Sequence, residues 1–158
     1  MMTTSQLPTP DREELSLNDA ATHVLEECRT VVPGIQALFG FQLIAVFSAA
    51  FTEQLSSIER ELHFAAILLV TVAIALVIAP AALHRQLEPM AVSRKFIAIS
   101  SRLLMASMAP LAAGICLDVY IVGRVTLGTR AGAAIIAAVM LGVFLLFWLV
   151  VPRLARRR

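Results

Sequence analysis

The sequence predicts an all-α membrane protein with four transmembrane helices preceded by a cytoplasmic amphipathic helix. Three observations support this fold class. Of the 158 residues, 59% are apolar and the mean hydropathy is +0.83, whereas a soluble domain is usually about half apolar. The apolar excess is gathered in four long runs, each long enough to cross a bilayer as a helix. Polar and charged residues are concentrated between these runs and at the two ends of the chain.

The first part of the chain is polar and then amphipathic. Residues 1–15 are polar and contain two prolines, so we expect this segment to be disordered. An N-cap signal then lies around Ser16 to Asn18, and apolar residues recur at helical spacing through residues 16–31. We predict an amphipathic helix here that leads into the first span. Because Pro33 lacks an amide proton, we expect a kink or break near Val32.

The transmembrane domain is predicted to cover residues 16–152. Its spans lie at about residues 33–51, 62–82, 96–122 and 130–151. Ser56 and Glu59 have the spacing of a capping box, which predicts the start of the second helix. A basic loop is expected at 84–95 and a tight turn at 123–128, and residues 153–158 form a basic tail.

Basic residues are divided unevenly between the two sides of the predicted bundle. Nine Lys and Arg residues lie before the first span, between the second and third spans, and after the fourth. Three lie in the other two loops. Positively charged loops remain on the cytoplasmic side, so we predict a multi-pass protein of the inner (plasma) membrane with both termini in the cytoplasm.

Several chemistries lack the residues they would need. Cys28 and Cys116 are isolated, and no Cys/His cluster has zinc or iron–sulfur spacing. Nucleotide-binding, hydrolase, metalloprotease and kinase motifs are absent from the sequence. We therefore predict no metal site, no cofactor, no catalytic residue and no enzymatic activity. A net charge of only +2 gives no argument for nucleic acid as a partner.

Three segments resemble a known family. They are LEECRTVVPGIQALFGFQL at 25–43, IERELHFAAILLVTVAIALVIAPAALHR at 58–85 and SRLL at 101–104. They are similar to a group of small four-span bacterial membrane proteins of unknown function, over about residues 15–152. Members of this group are sometimes labelled automatically as sodium:proton antiporters, so the resemblance implies ion transport.

Asp118 is the acidic residue closest to the interior of a predicted span. It lies about one turn from the outer end of span three, and no other Asp or Glu approaches the centre of a span. Asp118 could bind a cation or a proton within an outer acidic cluster. Alternatively, it could pair with Arg124 or Arg60 and fix the outer loops, which we favour. The cluster would consist of Glu53, Glu59, Glu61 and His63.

Two amides and one arginine are the other polar groups of interest within the spans. Gln42 lies near the predicted bilayer centre and Gln36 lies six residues before it. Gln42 could line an ion path, or it could hydrogen bond another helix as a clamp, which we slightly favour. Arg102 could extend to the lipid headgroups or pair with Glu26 or Glu27 of the amphipathic helix. We predict ion-path or interhelical contacts for Gln36, Gln42, Arg102 and Asp118.

Small residues are frequent at helical spacing and predict close helix contacts. Gly128, Gly132 and Gly142 belong to such a ridge at and after the start of span four. The expected partners are the lipid bilayer and further copies of the chain, because one bundle cannot bury all of these ridges. We therefore predict a homo-oligomer. Two functional classes then remain: an oligomeric ion channel or cation/proton transporter, and a non-transporting structural or accessory membrane protein. We favour transport, although the lack of a carboxylate near a span centre argues against proton exchange in particular.

Overall fold

Almost the whole described chain is helical. The structure is a computed structural model that describes residues 15–87 and 91–155. Its helices are α1 (Leu17–Val46), α2 (Ala49–Gln54), α3 (Ser57–Leu87), α4 (Arg94–Leu127), α5 (Arg130–Leu145) and α6 (Val151–Ala155), with a π-helical turn at Leu146–Val150. Four helical segments, α1, α3, α4 and Arg130–Ala155, are long and apolar enough to cross a membrane. The all-α class is confirmed at this level.

Side-chain hydrogen bonds cap the first turns of α1 and α3 at positions that the sequence predicts. The Oγ atom of Ser16 accepts a hydrogen bond from the amide of Asp19 at 3.2 Å. The amide of Ser56 donates to Oε2 of Glu59 at 2.8 Å, and the amide of Glu59 donates to Oγ of Ser56 at 3.4 Å. The second exchange is a capping box, which satisfies amides that the helix itself leaves free. The predicted N-cap and the predicted capping box are confirmed.

A kink or break was expected near Val32, and the break is absent. Helix α1 runs without interruption through the predicted amphipathic helix and most of the first span, with Pro33 inside it. Cys28 and Ile35, on either side of Pro33, are both buried in one apolar cluster on α3. Burial on both sides of the proline holds the helix together even though one backbone hydrogen bond is lost.

Three predicted boundaries are displaced. The first span was expected to reach residue 51, but α1 ends at Val46 and the short helix α2 follows. The basic loop predicted at 84–95 is shorter, because α3 continues to Leu87 and α4 begins at Arg94. The expected disordered segment at 1–15 lies almost entirely outside the described residues. The same is true of residues 156–158 of the predicted tail.

The turn predicted at 123–128 occurs at Gly128 and Thr129, between α4 and α5. Helix α4 continues to Leu127, and Gly128 ends it with a φ of 67°. This left-handed conformation favours glycine. Gly123 remains helical and faces α5, where a Cβ at that position would lie 3.4 Å from Cα of Ala133. Gly123 therefore serves as a close helix contact rather than as a turn.

Helices α3 and α4 form the most extensive interface in the described chain. Buried residues of α3 alternate at spacings of four and three: Glu59, His63, Ala66, Val70, Ala73, Val77 and Pro80. Every seventh residue of the facing stripe of α4 is buried: Ser100, Ser107, Gly114 and Ile121. Such spacing is typical of two helices that pack along a continuous seam. At Gly114 a Cβ would lie only 2.9 Å from Cγ2 of Val70.

The remaining helices flank this pair. Helix α1 packs mainly on α3 and less on α4, whereas α5 packs on α4 and makes at most marginal contact with α1. The first and last described residues therefore lie at one end of the bundle. The opposite end, which we call the α2 end, contains α2, the starts of α3 and α5, and the end of α4. The membrane-length window in Arg130–Ala155 buries none of its residues within the chain.

The small residues of span four were expected to allow close helix contacts within a chain or between chains. A Cβ at Gly132 would meet Oγ1 of Thr129 at 2.8 Å and Cδ1 of Leu127, the last residue of α4, at 3.2 Å. A Cβ at Gly142 would meet nothing within 4 Å. Close approaches between helices occur at Gly114 and Gly123, both on α4, which packs against both α3 and α5.

Candidate functional site

Three polar side chains meet near the α2 end, one from each of α1, α3 and α4. Nε2 of Gln42 donates a hydrogen bond to Oδ2 of Asp118 at 2.6 Å. Nδ1 of His63 lies 3.3 Å from Oδ1 of Asp118, and Nε2 of His63 lies 2.9 Å from the backbone carbonyl oxygen of Gln42. Gln42 is 3% exposed, and the side chains of His63 and Asp118 are 8% and 18% exposed. We call this group the His63–Asp118 site.

The contacts of His63 determine where its protons must be. A carbonyl oxygen only accepts, so Nε2 must carry the hydrogen in the contact with Gln42. A neutral imidazole then has a lone pair on Nδ1, and this lone pair faces the carboxyl oxygen Oδ1 of Asp118. A proton on either Nδ1 or Oδ1 would turn this contact into a hydrogen bond, so the pair is arranged to hold one proton between its two atoms.

Asp118 lies deeper in its helix than the sequence indicates. It is nine residues before the end of α4 at Leu127, which is about 13 Å along the helix axis. The prediction placed it about one turn from the outer end of span three at residue 122, and α4 continues for five residues beyond that expected end. His63 lies six residues after the start of α3, so the site is set in from both helix ends.

A second charged pair lies closer to the α2 end. Nε of Arg124 is 3.1 Å from Oε1 of Glu59, whose other oxygen accepts hydrogen bonds from Ser56. Glu59 and His63 are one turn apart on α3, so the two pairs are adjacent layers of the α3–α4 interface. Asp118 pairs with neither of the expected arginines: Arg124 pairs with Glu59, and Arg60 donates to Ser57 at 3.3 Å. That predicted pairing is wrong.

An apolar cleft opens beside the His63–Asp118 site. It has a volume of about 370 Å³ and lies between α1, α2 and the end of α4. Gln42, His63 and Asp118 line it together with mostly apolar side chains. Phe51 of α2 packs with its ring edge against His63, with ring centroids 5.3 Å apart. The cleft exists because α1 and α4 make far less contact with each other than either makes with α3.

The predicted outer acidic cluster is not assembled. Glu53 and Glu61 are exposed, whereas Glu59 and His63 are buried and have the separate partners described above. Helical geometry explains the difference, because Glu61 lies two residues from either buried position and therefore faces another direction. Among the described residues, no group of three or more His, Cys, Asp or Glu side chains is placed to hold a metal ion.

Of the four polar residues predicted to lie on an ion path or between helices, only Gln42 and Asp118 contact each other in the described residues. Gln36 is exposed and has no hydrogen bond to another helix within the described residues. Arg102, Glu26 and Glu27 are likewise exposed, and neither glutamate forms an ion pair with Arg102 in the part of the chain described. Of the two alternatives for Arg102, the ion pair with Glu26 or Glu27 does not occur, and extension to the lipid headgroups stays a prediction.

Sequence reasoning named most site residues but not their partners. It missed the Glu59–Arg124 pair and the bond from Gln42 to Asp118. One signal was present in the sequence: Glu59 and His63 continue the alternating four-and-three spacing of the small and apolar residues of α3. Charged groups at core positions of such a stripe must face another helix rather than lipid or solvent.

Four membrane-length helices with ionisable groups enclosed between them define a helical, multi-pass type of membrane protein. The chain belongs to the family described as "Family of unknown function (DUF6328)", which matches residues 12–152. The resemblance to a family of unknown function is confirmed at that level. No curated protein and no solved structure matches the chain.

Proposed function

We propose that this protein is an integral membrane transporter that exchanges a proton for a cation at the His63–Asp118 site. One observation carries the proposal: the contact of Nε2 of His63 with the Gln42 carbonyl oxygen leaves Nδ1 next to Oδ1 of Asp118, where one proton can be held between them. A partly buried carboxylate and imidazole that can share one proton are the elements of a proton-coupled site. The sequence argument against proton exchange was the lack of a carboxylate near a span centre; the proposal instead uses Asp118, nine residues before the end of α4, with His63 of α3 as its partner.

The exchange follows from charge balance. When the shared proton leaves to water, Asp118 keeps a negative charge and faces the lone pair of His63. Such a group in a desolvated place is unfavourable without a positive partner. A cation that enters the cleft supplies that charge, and a returning proton displaces it. One positive charge leaves as one arrives, so proton and cation compete for a single position.

The assembly and placement of the transporter are part of the same proposal. We propose a homo-oligomer in the inner membrane with both termini in the cytoplasm and the α2 end outside. The unburied face of α5 supports self-association, and the nine-to-three division of basic residues supports the orientation. Reporter fusions after Thr30 and Arg94 should be cytoplasmic, and fusions at Ser57 and Leu127 should be on the opposite side. A fusion on the wrong side would exclude the four-span orientation.

Purified protein in liposomes tests the exchange directly. An imposed pH gradient is followed with an internal pH dye while Na⁺, K⁺ or an organic monocation is added outside. We expect at least one cation to dissipate the gradient, and Asp118→Asn to abolish the effect. Gln36→Leu is the control, because Gln36 is an exposed amide without an interhelical bond. Gradients that no cation affects, or an effect that Asp118→Asn leaves unchanged, would contradict the proposal.

The alternative function is that of a structural or accessory membrane protein without transport. The observation that favours it is that Gln42, His63 and Asp118 join three helices, which would stabilise a bundle with no transport role. On this alternative, Asp118→Asn lowers the unfolding temperature and no cation moves in the liposome assay. Flux and unfolding temperature measured on the same variant separate the two functions.

A further inference from the structure

We infer that the cleft beside Asp118 binds an organic monocation with an apolar body. This inference deepens the proposed function, since it names the substrate class of the same site. The volume of about 370 Å³ lies near the lower end of the range for small-molecule pockets, about 300–1,000 Å³. A ligand of this kind would place its charged group near Asp118 and its apolar part between α1 and α4.

The walls of the cleft are suited to an apolar body. Leu38 and Phe41 of α1, Phe51 of α2, and Ile121 and Val122 of α4 all line it. Phe41 is 71% exposed and Val122 is 64% exposed within the chain, so neither is covered by another part of the described chain. Aromatic rings near a carboxylate also favour cations, because the face of a ring attracts positive charge.

The polar groups that line the cleft include an unsatisfied acceptor. Oε1 of Gln42 is buried and has no hydrogen-bond donor, and Oδ1 of Asp118 has Nδ1 of His63 beside it at 3.3 Å. Both oxygens carry negative partial or full charge, so they complement a cation rather than an anion. With the proton lost from His63, the carboxylate is the charge that such a ligand would neutralise.

An inorganic cation fits the cleft less well. Hard metal ions are held by several oxygen ligands at once. Asp118 is the acidic side chain that lines the cleft, and no group of three or more His, Cys, Asp or Glu side chains is placed to hold a metal ion in the described residues. An organic cation needs one opposite charge and apolar surface, and the cleft offers both.

Other charged groups near the site do not compete for the ligand. From α3 and α4, Glu59 and Arg124 neutralise each other one turn closer to the α2 end. Arg130 at the start of α5 acts electrostatically on Glu59. Helices α1 and α2 contribute no charged side chain to the described lining of the cleft. Proton release from the His63–Asp118 pair is therefore the charge change that controls cation binding.

Equilibrium binding of tetraphenylphosphonium to the full-length protein in nanodiscs tests the inference. We expect saturable binding that weakens by at least about tenfold from mildly alkaline to mildly acidic buffer, because protons compete. Binding in weak buffer should release up to one proton per cation. Neutral triphenylphosphine oxide, which has a similar apolar body, should not show the pH dependence. Excess Na⁺ should not displace the probe.

Two variants locate the probe. Asp118→Asn should weaken tetraphenylphosphonium binding by at least about tenfold, while Glu26→Gln, an exposed acid at the opposite end, should leave it unchanged. Because Asp118→Asn removes a structural contact, Ala45→Phe provides a second test that fills the cleft without changing its charges. It should also weaken binding. Equal binding to all four proteins, or equal binding of the neutral compound, would overturn the inference.

The substrate class and the proposed function can fail separately. If Na⁺ dissipates the liposome pH gradient in an Asp118-dependent manner and tetraphenylphosphonium does not bind, the exchange stands and the organic substrate is wrong. If tetraphenylphosphonium binds in competition with protons but no cation dissipates the gradient, the cleft is a binding site and the transport function is wrong.

Discussion

The interfaces of helix α4 with α3 and with α1 are very different. Along α3 it presents Ser100, Ser107 and Gly114, and the helices are so close at Gly114 that a Cβ there would collide with Val70. Along α1 it has little contact, and the space between the helices is the cleft at Asp118. Small side chains thus produce a dry seam on one face, and diverging helices leave a cavity on the other.

This difference separates what holds the bundle together from what can bind a ligand. The α3–α4 seam supplies rigid, close-packed support, in which even one added methyl group is felt. The cleft contains polar groups fixed by that seam, because His63 and Asp118 occupy positions in the stripes of α3 and α4. We therefore expect substitutions in the seam to affect folding and substitutions in the cleft to affect binding.

The largest effect on stability is expected from Gly114→Val. Its Cβ would lie 2.9 Å from Cγ2 of Val70, which is fully buried, and 3.2 Å from the backbone oxygen of Ala66. We expect the free energy of unfolding to fall by about 3 kcal/mol, at the upper end of the usual cost of overpacking. Equilibrium unfolding in detergent, followed by circular dichroism, measures this loss.

Gly40→Val is the matched control for this substitution. It places the same side chain in a helix, and a Cβ at Gly40 meets nothing within 4 Å. We expect a change of no more than about 1 kcal/mol, which reflects helix propensity alone. Equal losses for the two variants would show that the α3–α4 seam is not the tight interface described.

The next effect is expected from Glu59→Gln, which removes the charge that pairs with Arg124. The Glu59 side chain is 6% exposed, but Arg124 is 28% exposed and can be partly rehydrated. We therefore expect a loss of only about 1–2 kcal/mol in the free energy of unfolding. Glu61→Gln, an exposed acid on the same helix, should change it by less than about 0.5 kcal/mol. Indistinguishable denaturation midpoints would refute a stabilising pair.

A smaller effect on stability is expected from Gln42→Leu. The variant loses the hydrogen bond to Asp118, but it also removes the buried acceptor Oε1, which has no partner. The net loss should be about 1 kcal/mol or less. The free energy of tetraphenylphosphonium binding should change by more than the free energy of unfolding, because Asp118 loses the group that orients it. Unchanged binding would remove Gln42 from the site, and Gln36→Leu is the control for an amide on the same helix.

The smallest effect on the folding of one chain is expected from Gly142→Leu. The space around Gly142 is open within the chain, so unfolding energy should change by less than about 0.5 kcal/mol. If α5 forms the contact between copies, the variant should nevertheless dissociate the oligomer. Light scattering in mild detergent measures the mass of both proteins. A monomeric mass for the unsubstituted protein would refute self-association.

The sequence alone determined the number and type of the long helices and where two of them begin. Apolar runs of membrane length have only helical solutions for a single chain of this kind, and the caps at Ser16 and Ser56 act through hydrogen bonds within three residues. Such local interactions do not depend on the rest of the fold. For that reason the predicted N-cap and capping box agree with the structure.

Tertiary structure decided where helices end and which charges meet. Packing on both sides of Pro33 overrides a local break, and packing of Gly123 on Ala133 keeps α4 helical up to Gly128. Asp118 pairs with His63 rather than Arg124 because of how α3 and α4 are aligned along their seam. That alignment depends on contacts such as Gly114 with Val70, between residues more than forty positions apart in the sequence. Local sequence patterns do not encode such contacts.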